Sequence, residues 1–337
     1  MMSVSELRKD PITGRWVIIS TERQKRPSDF RLESVHPLPD PSCPFCEGHE
    51  HMTPKELLAH RRNGGNPNGP GWNFRVVPNQ FPVLRVEGSL DRAGEGLFDK
   101  MNGVGAHEVI IESPRHEQTL ATLGDEAIEQ VLWAFRERMR DLKQDRRFRS
   151  LIVFKNHGAA AGATLNHSYS QLIALPIVPR EIRDEVEGAR AHFTAKERCV
   201  FCDILRQEAL DGRRVIEENG DMMALAPYAA RFPFETWILP RRHQTQFEEA
   251  SGQEYAALAR LLGDLLRRMN RTLELPPYNL LIHSAPISEP SEFYHWHVEI
   301  IPKLTRVAGL EWATGTYVNP VAPEEAAQVL RDAVGTA

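Results

Sequence analysis

The four cysteines of the chain fall into two close pairs, Cys43-Pro-Phe-Cys46 and Cys199-Val-Phe-Cys202. Thiols two residues apart either bind a metal ion or cycle as a redox couple. A redox couple needs a thioredoxin-like strand and helix around it, whereas Cys43 sits in proline-rich loop sequence. Metal binding is the better reading, and it demands two further ligands for each pair.

An internal repeat supplies them. After the first pair comes Asn73-Phe-Arg-Val-Val-Pro78-Asn-Gln-Phe-Pro82, and after the second comes Met222-Met-Ala-Leu-Ala-Pro227-Tyr-Ala-Ala-Arg-Phe-Pro233. Ile111-Glu-Ser-Pro-Arg-His116 then matches Ile238-Leu-Pro-Arg-Arg-His243, and His167-Ser-Tyr169-Ser-Gln171 matches His295-Trp-His297-Val-Glu299. His116 precedes His167 by 51 residues and His243 precedes His295 by 52, so the halves agree to one residue. From Cys43 to His116 is 73 residues against 44 from Cys199 to His243. The surplus falls in the Gly/Asn/Pro segment 63–72 and the loop 87–105, where insertions are tolerated. One ligand set is therefore Cys43, Cys46, His116 and His167; the other is Cys199, Cys202, His243 and His295. Four protein ligands complete a tetrahedral zinc ion, so both are expected as structural sites with no open place for substrate. The expected content is about two zinc ions per chain, with iron an alternative at the second set.

The elements that must position these ligands are written in the same repeat. Ile128, Val131, Leu132, Phe135, Met139 and Leu142 form one face of a helix that Asp125 is placed to cap. Ser251 and Glu254 form a capping box ahead of Leu258, Leu261, Leu262, Leu265 and Met269. Each helix leads to a β-rich run, Leu151–Asn156 or Asn279–His283, and then to the histidine-rich strand. The organisation is α+β, two copies of an antiparallel sheet with a packed helix. The boundary lies within Pro179–Glu197 and is set at 1–185 and 186–337, with a closing helix at Pro323–Val334.

Composition fits this picture. The 337 residues are 41% hydrophobic and 26% charged, ordinary for a globular protein, and too long and cysteine-poor for a disulfide scaffold. A net charge of −5 lacks the basic excess of a nucleic-acid polymer binder. No apolar run approaches a bilayer span, and the first ten residues do not read as a secretory signal, so no membrane partner and a cytoplasmic location are expected.

In order and spacing the motifs resemble the galactose-1-phosphate uridylyltransferase family of the histidine-triad superfamily, over nearly the whole chain. The matching pieces are Asp10-Pro-Ile-Thr-Gly-Arg-Trp16, Arg23-Gln-Lys-Arg-Pro27, Cys43-Pro-Phe-Cys46, Val77-Pro-Asn79-Gln-Phe81-Pro82, Asn156, Gly162, the strand from His167 to Gln171, and His295-x-His297. The resemblance implies two histidine-triad-like units, a homodimer with a composite active site, and exchange of UMP between UDP-glucose and a hexose-1-phosphate through a uridylyl-histidine. It implies phosphate contacts at Arg23 and Arg26, a nucleotide pocket at Asn79 and Phe81, ribose and phosphate contacts at Asn156, Gly162 and Thr164, and hexose-phosphate contacts at Arg306 and Glu311. His283, His295 and His297 match the histidines of a second metal site in some members, with Glu185 as carboxylate. That set competes with the cysteine set for His295, and the repeat favours the cysteines.

The family strand reads His-x-His-x-Gln, its second histidine being the nucleophile and its glutamine bonding the phosphoryl oxygen. Here Gln171 is present, but Tyr169 stands where the nucleophile belongs. A phenol with its ordinary pKa near 10 is only about 0.1% ionised at neutral pH. Three readings follow. The scaffold has lost fast ping-pong chemistry; Tyr169 is the nucleophile, or transfer is direct between two bound substrates; or tyrosine was introduced for a parental histidine. His297, the repeat partner of Tyr169, is a substitute nucleophile. Beyond uridylyl transfer, the alternatives are a nucleotide-sugar phosphorylase or hydrolase of the ADP-glucose phosphorylase kind, and a non-catalytic nucleotide-binding protein.

Overall fold

A strand with alternating apolar residues can bury one row of side chains against a helix and turn the other row to a site. The computed structural model, which describes residues 5–20, 27–30, 34–36, 38–287 and 292–333, is built on this division. Its first half contains β1 (Glu6–Lys9), β2 (Trp16–Ile19), β3 (Leu58–His60), β4 (Phe74–Pro78), the hairpin β5 (Ala93–Glu95) and β6 (Phe98–Lys100), β7 (Ala106–Ile111), α1 (Asp125–Leu142), β8 (Ser150–His157) and β9 (Tyr169–Leu175). There follow α2 (Arg180–Lys196), α3 (Val200–Asp211), β10 (Val215–Glu218), β11 (Met222–Leu225), β12 (Thr236–Pro240), α4 (Gly252–Leu273), β13 (Tyr278–His283), β14 (His297–Pro302), α5 (Gly309–Thr314), β15 (Tyr317–Asn319) and α6 (Pro323–Asp332).

Ten strands form one sheet in the order β10-β11-β12-β14-β13-β8-β9-β7-β4-β3, the repeats meeting at the antiparallel β13–β8 pair. On one face α1 and α4 pack on each other and on Val76, Ile110, Val153, Leu172, Ala224, Ile238, Ile282 and Val298. The opposite rows differ between the halves. In the second half, α2 and α3 cover Met223, Leu225, Trp237 and Leu239. In the first, Val77, Val109, Ile111 and Tyr169 meet Trp72, Phe45 and Leu165 from loops. The α+β architecture of two repeats, each an antiparallel sheet with a packed helix, is as the sequence led us to expect.

The register corrects the sequence alignment by one residue. Val109 lies opposite Gln171, and Trp237 lies opposite Glu299, so Val109 corresponds to Trp237. Likewise Val77 pairs with Val109 and Leu225 with Trp237. Ile111 thus corresponds to Leu239 and not to Ile238, because the turn to the first histidine is one residue shorter in the second repeat. The caps are partly as read. Ser251 accepts from Glu254 N–H at 3.2 Å while the Glu254 carboxylate accepts from Ser251 N–H at 2.7 Å. For α1 the cap is Gly124, and Asp125 stands in the first turn, where its charge favours the helix dipole.

The segment placed at the unit boundary is helix α2, and a division at 185/186 falls inside it. Gly188 of this helix lies so close to the loop after β1 that a β-carbon would stand 1.7 Å from the Ile12 carbonyl oxygen. Gly188→Ala is expected to destabilise the protein by about 1–3 kcal/mol through overpacking, read as a lower unfolding midpoint. The chain's opening strands also pair away from the first repeat: β2 runs parallel to β15, and Arg8 bridges to Glu324 at 2.9 Å. No helix among the described residues is long and apolar enough to cross a membrane.

Candidate active site and metal centres

Each metal-ligand set assembles at the end of its repeat's strands. The ligand atoms of Cys43, Cys46, His116 and His167 lie within 4.8 Å of one another, as do those of Cys199, Cys202, His243 and His295. Cys46 Sγ is 3.4 Å from His116 Nδ1 and 3.6 Å from His167 Nδ1; Cys202 Sγ is 3.4 Å from His243 Nδ1 and 3.6 Å from His295 Nδ1. His167 Nε2 donates to the Ser113 carbonyl at 2.7 Å, and His295 Nε2 to the Pro240 carbonyl at 2.9 Å. Those bonds fix the tautomer that leaves Nδ1 free for a cation. Burial holds His167 down to about 4, which keeps it neutral at pH 7. Two thiols and two imidazoles at this spacing fit zinc. Protein prepared without chelators is expected to carry about two zinc ions per chain. Cys43→Ser and Cys199→Ser should each lose one and weaken their own half, because structural zinc is coupled to folding; elemental analysis finding no metal in folded protein excludes this.

The histidines that could have served a second kind of metal site are divided by the structure. His295 belongs with the cysteines, while Glu185, His283, His297 and Glu299 form a separate buried group. His283 Nδ1 is 3.0 Å from Glu185, Tyr294 OH donates to Glu185 at 2.7 Å, and Arg231 bridges to Glu299 at 2.6 Å. Burial opposes the charge on both partners, yet Glu185 draws His283 up to about 9 and is itself held down to about 2. This group is neutralised by its own ion pairs.

Around Tyr169 lies a cavity of about 370 Å³, lined by Phe45, Val77, Asn79, Phe81, Val109, Thr164, Tyr169 and Gln171 among others. The first strand residues after the ligand His167 are thereby the ones presented to it. Tyr169 is buried, stacked edge-on against Phe45 at 5.4 Å, and its hydroxyl is 3.3 Å from Thr164 N and 3.2 Å from Thr164 Oγ1. Asn156 lies near the end of β8 and Gly162 in the connection from β8 to β9, and neither lines the cavity. Asn156 Nδ2 donates to the Gly162 carbonyl at 3.3 Å, and Gly162 has a φ of +92°, a conformation suited to glycine. Arg306 is exposed and Glu311 caps α5 through Ala308 N–H at 3.0 Å; neither lines the cavity. Arg23 and Arg26 lie outside the described residues.

One residue in this site was not singled out from the sequence. His107, at the start of β7, is 2.9 Å from Gln171 Oε1 and 3.1 Å from Asn79 Nδ2 through Nε2. Val83 N–H donates to its Nδ1 at 3.4 Å, so the Nε2 proton is free to donate to Gln171. His107→Ala is expected to release the Gln171 amide and lower nucleotide binding or turnover about tenfold, with little loss of stability.

A sheet with this pocket beside a Cys₂His₂ cluster, repeated once with a covered face, defines a two-repeat α+β scaffold with one open site. The chain belongs to the galactose-1-phosphate uridylyltransferase family: the model of the family's N-terminal domain matches residues 1–179, and that of its C-terminal domain matches residues 185–331. It is 38% identical to the ADP-glucose phosphorylase of Arabidopsis thaliana, over 97% of this chain and 92% of the relative. It is 31% identical to the galactose-1-phosphate uridylyltransferase of Thermotoga maritima, over 97% of this chain and 98% of that one. The crystal structure of an ADP-glucose phosphorylase from Arabidopsis thaliana with bound ADP-glucose superposes with a TM-score of 0.84 at 35% identity, covering 99% of this chain and 100% of the other.

Proposed function

We propose that the cavity at Tyr169 and Gln171 binds a nucleoside diphosphate sugar, and that the chain is built for nucleotidyl transfer from it to a phosphate-bearing acceptor. The observation that carries this reading is the cavity of about 370 Å³ opening on the strand just after His167. Its apolar wall of Phe45, Val77 and Val109 suits a base, and Asn79, Thr164 and Gln171 offer polar groups for ribose and phosphates. Two donor pairs are in view. UDP-glucose with a hexose-1-phosphate corresponds to the uridylyltransferases, and ADP-glucose with inorganic phosphate corresponds to the phosphorylase. The identity of 38% against 31% favours ADP-glucose.

With tyrosine in place of the family's nucleophile, sugar-nucleotide binding is retained and transfer is slow. The first metal centre, as zinc, would hold His116 and His167 at the base of the active-site strand, and neither centre takes part in the chemistry. Calorimetry with each sugar nucleotide, followed by turnover with hexose-1-phosphate or phosphate, tests the proposal. Binding of one of them in the micromolar to millimolar range is expected; binding of neither overturns it. A homodimer, proposed from family resemblance, is checked by light scattering, where a particle of 38.3 kDa counts against it.

A further inference from the structure

The covered face of the second repeat hides another cavity, of about 310 Å³. Its wall is the repeat equivalent of the wall around Tyr169. Leu225 takes the strand position of Val77, Trp237 that of Val109, and Val200 takes the place of Pro44, the first residue inside the cysteine pair. Ile204 and Tyr228 complete the apolar lining. A volume near 300 Å³ is at the lower end for small-molecule pockets and holds a nucleoside.

Two lining residues carry buried polar atoms with no hydrogen-bond partner among the described residues: Trp237 Nε1, a donor, and Glu208 Oε2, an acceptor. Trp237 is 8% exposed and Glu208 3%. The other Glu208 oxygen is taken by Arg214, at 2.9 Å and 3.1 Å. Leaving such atoms unpaired costs about 1–3 kcal/mol each, a cost that a ligand with matching groups removes. The matching ligand accepts one hydrogen bond, donates another, and is flat enough for a wall of indole and aliphatic groups.

A phosphate is disfavoured. Where Tyr169 and Gln171 line the first cavity, His297 and Glu299 stand in the second repeat, within an adjoining hollow that also contains Asp10, Glu181, Glu185 and Glu235. Five carboxylates outnumber the cations Arg15, Arg231 and a protonated His283 there. We infer that the second repeat holds a separate site for an uncharged, amino-bearing purine nucleoside, its ring nitrogen accepting from Trp237 and its amino group donating to Glu208. The parallel with the first cavity rests on the function proposed above, whereas the two unpaired atoms stand independently of it.

Adenosine is the probe. Calorimetry on the full chain should show it binding with and without saturating ADP-glucose or UDP-glucose. Purine riboside, which lacks the amino group, should bind at least about tenfold more weakly, as should AMP, through the lost donor and the added charge. Trp237→Phe keeps the ring and removes the N–H, and should weaken adenosine about tenfold while leaving sugar-nucleotide binding unchanged. Ile204→Trp, which fills the cavity, should abolish adenosine binding. Adenosine that is displaced by a sugar nucleotide, or that fails to bind at millimolar concentration, overturns the second site and leaves the proposed function standing. Adenosine bound without any sugar-nucleotide binding does the reverse.

Discussion

Tyr169→His is expected to raise nucleotidyl transfer by about a hundredfold or more, and to allow a nucleotidyl adduct to be trapped by intact-protein mass spectrometry when no acceptor is present. The second repeat shows how the sheet holds an imidazole at this strand position. His297 Nδ1 donates to the carbonyl of His295, two residues earlier, at 3.1 Å. A histidine at 169 has the same bond available from the His167 carbonyl, which leaves Nε2 unprotonated. Its lone pair forms the N–P bond as the bond from the α-phosphorus to the bridging oxygen breaks, and the sugar-1-phosphate leaves with that electron pair. An oxygen of the acceptor phosphate then displaces the imidazole.

The phenol is longer, and its oxygen is already engaged at Thr164, 3.3 Å from N and 3.2 Å from Oγ1. In-line attack loses about a hundredfold for a misplacement of about 1 Å, which sets the expected gain. Tyr169→Phe separates the remaining readings. It should change little if the scaffold has lost ping-pong chemistry, and should abolish activity if tyrosine is the nucleophile. Brisk transfer by Tyr169→Phe would falsify both, leaving direct transfer or another nucleophile such as His297.

Both ligand sets were legible because a repeat is its own control: each of eight residues had a partner of the same type at a matching place. Helix α2 was not. Its buried residues are Ile182, Val186 and Ala189 with Glu185 among them, too thin an apolar stripe to distinguish a packed helix from a charged linker. The β2–β15 pairing joins residues about 300 apart, and no local pattern encodes such a partner. The alignment of the repeats slipped by one at the strands because proline and isoleucine recur in neighbouring positions, and only cross-strand pairing decides which face a residue takes. His107 escaped for a related reason. A single histidine on an alternating strand looks like a solvated side chain until Gln171 and Asn79 are seen beside it. The signal was its alternation with Val109, two residues on and on the same face of the strand.

Lys155→Met is expected to cost about 3–5 kcal/mol, because it breaks a buried ion pair from one side. Lys155 Nζ donates to Glu112 Oε2 at 2.7 Å, to Ser168 Oγ at 3.1 Å and to the Tyr169 carbonyl at 3.0 Å. Glu112 also accepts from Ser168 at 2.6 Å and from Ser170 at 2.5 Å, so the carboxylate grips the strand on both sides of Tyr169. Burial pulls the lysine pKa down against the attraction of Glu112. The fold itself does not require this pair. By cross-strand register Lys155 corresponds to Ile282 in the second repeat, where the same strand forms with an apolar side chain. Lys155→Ile with Glu112→Leu should therefore recover most of the stability lost in the single variant, less about 1 kcal/mol for each serine hydroxyl left unpaired. Activity should not return with it, in the wild-type sequence or beside Tyr169→His, because the start of β9 has lost the bonds that aim residues 169 and 171 into the cavity. Denaturant midpoints and transfer rates measured on the same samples check the separation. Recovery of both together would mean that Lys155 and Glu112 serve stability alone.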